Sequence, residues 1–196
     1  LMTGTPLENR VDEFRQLVSY IRPYLALDQT EIAPRRFRAQ VAPVYLRRNQ
    51  EDVLPELPER FEVEEWVPLS GADRTSYREA VHQGNFMAMR QAAMLNGSDS
   101  CKIQRLREIV EEAAANGRKV IVYSFFRAVL EQAVAAAPGP VFGPLNGSVP
   151  SAKRQAMIDD FSKVEGGAVL IAQVQAGGVG LNIQAASVVV ICEPQF

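Results

Sequence analysis

The stretch AVLIAQVQAGGVGLNIQAASVVVIC, residues Ala168 to Cys192, decides how this chain folds. Its core, QAGGVGLNIQAASVVV from Gln175 to Val190, places Gly177, Gly178 and Gly180 between two apolar runs, AVLIAQV and SVVVIC. Short apolar runs bounded by polar residues are expected of strands buried on both faces, as in a parallel sheet. A tight turn between them needs one or two glycines for positive φ. A third suggests a backbone that something must approach closely, such as a phosphate meeting amide groups. The loop leaves the carboxyl end of a strand, where ligands bind in open parallel sheets. AGGVGLN fits neither GxGxxG nor GxxxxGK[ST], so spacing alone leaves the turn and the phosphate readings level.

Outward from this stretch, strands and helices alternate. Lys102–Asn116 has the spacing of an amphipathic helix (Ile103, Leu106, Val110, Ala113) closed by Gly117. KVIVYSFF reads as a buried strand, Arg127–Ala137 as a helix stopped at Pro138, and PVFGPLNG as strand and turn. Ser151–Ser162 reads as a helix with Met157, Ile158 and Phe161 inward. The pattern predicts an α/β fold with a parallel sheet. Upstream, residues 7–27 read as a helix with Val11, Phe14, Leu17, Val18 and Ile21 on one face, ended by Pro23. Residues 50–69 are proline-rich and extended, with RFEVEEWVPL as a strand, followed by a helix from Gly71 to Ala93. The polar break NGSDS then offers a helix N-cap.

Composition sets bounds. Apolar residues make up 47% and charged residues 22%, as in globular proteins with a sizeable core. No segment has the length and apolarity of a membrane span, and the N-terminus lacks the pattern of a signal peptide. Cys101, Cys192 and the single His82 are too few for a zinc site, and lone cysteines suit a reducing cytosol, so a cytoplasmic location is expected. A Cys192–His82 nucleophile pair is conceivable, but Cys192 in SVVVICEP reads as an inert core thiol. The net charge of −2 gives no support to nucleic-acid binding. Between Ile32 and Gln50, however, Arg35, Arg36, Arg38, Arg47 and Arg48 stand without an acid, either a solvated face or a phosphate-binding patch.

Five segments in order carry a resemblance. LMTGTPLENR resembles motif III of the Swi/Snf-type ATPases of helicase superfamily two, and VYLRRNQEDVLPELPERFE resembles their arginine-rich segment leading into the second lobe. KVIVYSFF resembles motif IV, LNGSVPSAKRQAMIDDF the strand–turn–helix after it, and AGGVGLNIQAASVVVICEPQF motif V with its following strand. The resemblance implies a motor of two RecA-like lobes that uses ATP and Mg2+ to translocate along duplex DNA, with a DNA-bound protein complex as a further potential partner. It divides the chain into 1–60, a mainly helical end of lobe one with the inter-lobe connection, and 61–196, a RecA-like helicase C-terminal lobe with flanking helices. Both termini read as cuts in a larger protein. The Walker lysine and acidic pair would stand upstream and the motif VI arginines downstream, so ATP would be held mainly outside this chain and the isolated piece would be inactive.

Roles follow by match. The resemblance assigns Thr3, Gly4 and Thr5 to coupling of nucleotide state and lobe movement. It puts Gly178, Gly180 and Asn182 near the nucleotide. Arg47, Arg48, Ser124, Asn146, Gly147 and Gly177 fall near DNA. The residue-level alternatives are a strand-to-turn transition at Thr3–Pro6, a cap or turn at Asn182 and an ordinary turn at Asn146–Gly147. Two departures give a bacterial look: Gln173 and Val174 replace a Ser-Thr pair that often precedes AGG, and Leu145-Asn146-Gly147 replaces LDG. A RecA-like nucleic-acid or protein-binding module without motor activity is the competing expectation. An unrelated α/β nucleotide-binding enzyme is a third, and it leaves TGTPLENR and YLRR unexplained.

Overall fold

A computed structural model describes residues 11–25, 34–46, 61–177 and 181–193. The chain divides into two compact units, residues 1–63 and 64–196.

In the first unit, α1 (Val11–Ile21) and α2 (Pro34–Val41) pair around Phe14, Val18 and Val41. Phe14 meets the Tyr45 ring edge-on at 5.3 Å and the Phe37 ring tilted at 5.9 Å. Within the 7–27 expected, α1 is described over Val11–Ile21 with Pro23 in the turn after it, and residues 7–10, 26 and 27 lie outside the described residues. Ile21, expected on the buried face, is 48% exposed. Helix α2 went unread within the arginine-rich run: Phe37 and Val41, one turn apart, supply its apolar face while Arg35 and Arg36 are exposed.

The second unit begins in the segment read as a strand. Residues 61–70 belong to no strand or helix, and Glu65 is held by Arg105 at 3.0 Å. The single helix expected over Gly71–Ala93 is three pieces: α3 (Gly71–His82), α4 (Phe86–Gln91) and a 3-10 turn, Ala92–Met94. Gly84 breaks it at φ +62°, and the Asn85 side chain then caps α4 by accepting from the Ala88 N–H at 3.0 Å. The cap expected in NGSDS is Ser100, whose buried Oγ accepts from the Ile103 N–H at the start of α5 (Cys101–Ala115) and donates to the Ala93 carbonyl. Gly117, φ +66°, ends α5 as anticipated, with the Arg118 N–H on the Ala113 carbonyl and the Gly117 N–H on Ala114, both 2.9 Å.

Four parallel strands follow: β1 (Val120–Ser124), β2 (Val141–Leu145), β3 (Val169–Gln173) and β4 (Val188–Ile191), in the spatial order β2-β3-β1-β4. Between them lie α6 (Arg127–Ala136), α7 (Ser151–Lys163) and the single turn α8 (Val174–Gly177). Strand periodicity sorts the core into two layers. Val120, Val122, Val169 and Ile171 face α5 and α6, packing on Leu106, Val110, Val129 and Leu130. Ile121, Leu170 and Ala172 face α7, packing on Ile158 and Phe161. Helices on both faces are what a parallel sheet requires, since its strands have no solvated side. This is the RecA-like architecture expected of the sequence. SVVVIC departs from the fully buried strand expected of it: β4 is an edge, with Val188 and Val190 against the core and Val189 and Ile191 each 58% exposed.

Candidate functional site

All four strands are parallel, so their carboxyl ends lie along one rim of the sheet. The rim carries Ser124 at the end of β1, Asn146 and Gly147 after β2, Gln173 and α8 after β3, and Cys192 and Glu193 after β4. Backbone pairing stops there, and peptide groups beyond it must find other partners.

Side chains supply them. Glu193 is 2% exposed, and its Oε1 accepts the Ser124 hydroxyl at 2.9 Å and the Phe125 N–H. Ser124, fully buried, uses its Oγ to accept the Phe126 N–H at 3.0 Å, so the residue before α6 is capped from two positions back. Gln173, the register partner of Ser124, donates from Nε2 to the Phe125 carbonyl at 3.0 Å. Lys102 reaches from α5 to the Cys192 carbonyl at 3.1 Å. The Arg90 guanidinium lies over the rings of Phe125 and Phe126, 5.6 and 5.3 Å from their centroids.

The β2 end is organised separately. Asn146 is 8% exposed and its Oδ1 accepts the Ser148 N–H at 3.0 Å and the Ser148 hydroxyl, a turn built on a side-chain oxygen. Arg154 on α7 donates to the Val149 carbonyl at 2.7 Å and the Gly147 carbonyl at 3.3 Å. Gly147 is exposed, with open space where a Cβ would lie.

The structure therefore places Ser124, Asn146, Gly147 and Gly177 on one rim. The Ser124 hydroxyl faces inward to a carboxylate, and Asn146 is committed to its own turn. Asn182 is exposed, outside regular structure. Thr3, Gly4, Thr5, Arg47, Arg48, Gly178 and Gly180 lie outside the described residues. Sequence reading missed Glu193, although an acid directly after an apolar strand, in ICEP, was a signal. Gln173 registered only as a departure from a hydroxyl pair. Lys102, Arg90 and Arg154 gave no local signal, because their partners are distant in sequence or are backbone atoms. The Cys192 thiol matches the inert reading: it is 7% exposed, and burial, with the Glu193 charge second, raises its pKa to about 12.

Residues 101–196 match the family described as the helicase conserved C-terminal domain. Over 96% of its length the chain is 24% identical to an uncharacterized ATP-dependent helicase of Mycoplasma pneumoniae, covering 22% of that protein. It is 23% identical, again over 96%, to the putative ATP-dependent helicase/translocase YwqA of Bacillus subtilis, covering 26% of it. The chain thus spans about a quarter of the length of these curated relatives. Its fold is similar to the Sulfolobus solfataricus SWI2/SNF2 ATPase core solved in complex with dsDNA, with a TM-score of 0.58 at 20% identity, covering 97% of this chain and 50% of that one.

Proposed function

We propose that this chain is a C-terminal lobe piece of a Swi/Snf-type helicase of superfamily two, and that the full-length protein is an ATP-driven translocase on duplex DNA. ATP is hydrolysed where the rim of this lobe meets lobe one. The observation that carries the reading is the placement of α8, whose last residue is Gly177, directly after β3 at the carboxyl rim of a parallel sheet, next to the end of β1. At Gly147, exposed and with open space where a Cβ would lie, the backbone of this rim can be approached without an obstructing side chain, which suits phosphate.

In this reading Gly178, Gly180 and Asn182 serve the nucleotide, Gly177 and the Asn146–Gly147 turn serve the DNA backbone, Arg47 and Arg48 also serve DNA, and Thr3–Thr5 couple the lobes. Ser124 acts on DNA indirectly, by shaping the Phe125–Phe126 turn, since its hydroxyl is already engaged. Following the resemblance, the metal and most phosphate contacts are assigned to lobe one, and no chemical step is routed through this lobe. The protein works in the cytoplasm, associated with DNA.

The test is ATP turnover by the full-length protein with and without duplex DNA, beside the 196-residue chain alone. The full-length protein should show DNA-stimulated hydrolysis and the isolated chain none, because phosphoryl transfer depends on a phosphate cradle, metal and arginine acting together. DNA binding without turnover by the full-length protein would overturn the motor and leave a RecA-like binding module.

A further inference from the structure

We propose that Gln173 and Glu193 are positioning residues that clamp the peptide groups of Phe125, so that the turn after β1 and the α8 segment after β3 shift as one piece. The consequence for turnover rests on the motor reading above. The clamp itself stands on geometry. The Phe125 N–H is taken by Glu193, arriving from the end of β4, and the Phe125 carbonyl by Gln173, arriving from the end of β3 at 3.0 Å. The two side chains continue the ladder that β1 makes with β3 and β4, beyond the point where strand pairing ends.

Each component is costly to disturb. A buried carboxylate is tolerated only when hydrogen bonds replace its water, and Glu193, 2% exposed, obtains them from Ser124 and Phe125. Lys102, on the Cys192 carbonyl, fixes the chain just before Glu193. Gln173 is followed without a spacer by α8, so displacement of that turn pulls directly on its own carboxamide. The packing of Arg90 over both phenylalanine rings gives the turn a backing on its outer side. The position where the resemblance led to the expectation of a phosphate-reaching hydroxyl thus holds an internal tie instead.

The experiment uses the full-length protein and Gln173→Met, which keeps side-chain length and removes the donor. Three quantities are read: amide exchange at Phe125–Phe126, ATP turnover as a function of duplex DNA, and the melting temperature. The clamp predicts exchange at Phe125–Phe126 faster by about tenfold and a DNA-stimulated maximal rate lower by about tenfold. The DNA concentration at half-stimulation should stay within about twofold, and the melting temperature should fall by only a few degrees, since one part-buried bond is lost. Unaltered exchange at Phe125–Phe126 overturns the clamp, and faster exchange with full stimulation overturns its use in turnover. If the unsubstituted protein shows no DNA-stimulated hydrolysis, the motor reading fails, and exchange alone then judges the clamp. In Glu193→Ala the amides of Val174–Gly177 must also lose protection, and their retention in a folded variant overturns it. Should Glu193→Ala not fold, Gln173→Met still decides.

Discussion

Gly143 and Gly147 are four residues apart and meet opposite demands. Gly143 has φ +117°, and a Cβ there would run into the Ile171 carbonyl of the neighbouring strand. Gly147 has no positive φ and faces open space. Gly143→Ala should therefore destabilise the chain by more than about 1 kcal/mol, while Gly147→Ala should stay within about 0.5 kcal/mol. Urea unfolding of both variants checks this, and equal losses would contradict it.

Cys192 gives a second residue-scale expectation. Its folded pKa, about 12, exceeds the ordinary 9.0, so the native state holds the thiol proton more tightly than the unfolded chain does. The stability this represents is intact below about pH 9 and is lost as pH rises toward 12. In native protein at pH 8, a thiol reagent should consume Cys101, which is partly exposed, while Cys192 reacts only on unfolding. Rapid labelling of both thiols would count against the burial.

At the scale of elements, one carboxylate organises two helix starts. Asp73, fully buried, forms the capping box of α3 with Ser70, the Asp73 N–H meeting Ser70 Oγ at 3.0 Å and the Ser70 N–H meeting Asp73 Oδ2 at 3.3 Å. The same Oδ2 accepts the Cys101 N–H of α5 at 3.3 Å, and Oδ1 accepts Asn96 Nδ2 at 2.9 Å. The Ser70–Asp73 pairing was available to sequence reading as a capping box. The tie to α5 was not, because 28 residues separate Asp73 from Cys101. Asp73→Ala removes a cap and leaves three part-buried donors without their acceptor, and should cost about 2–3 kcal/mol. Ser70→Ala, which removes only the box, should cost about 1 kcal/mol. Thermal and urea denaturation of the pair measures the difference, and equal losses would mean the α5 tie contributes nothing.

For the whole molecule, the arginine-rich run carries the remaining expectation. If Arg47 and Arg48 touch DNA phosphates in the full-length protein, changing both to Ala should weaken duplex binding and reduce the dependence of log K on log salt by about one to two counterions. An unchanged slope with a lower melting temperature would instead indicate pairing inside the protein, with Glu51 and Asp52 as the nearest acids in sequence.

The sequence by itself determined the parallel α/β class, because short two-sided apolar runs such as VLIAQ and VIVYS leave no solvated face and demand helices on both sides. It also determined the ends of α5, since Ser100 and Gly117 act through bonds to neighbours a few residues away. The family resemblance was legible for the same reason, being carried by short contiguous motifs. Tertiary structure decided that β2 and β4 became the edges of the described sheet, since an exposed Val189 and a buried Val122 look alike in sequence and differ only in strand order. It decided that Ser124 faces a carboxylate, not the solvent, because Glu193 lies 69 residues away and is brought there by β1–β4 pairing. Local bonds and periodicity are written along the chain. Which distant acid, amide or ring meets a given strand end is set only when the sheet assembles.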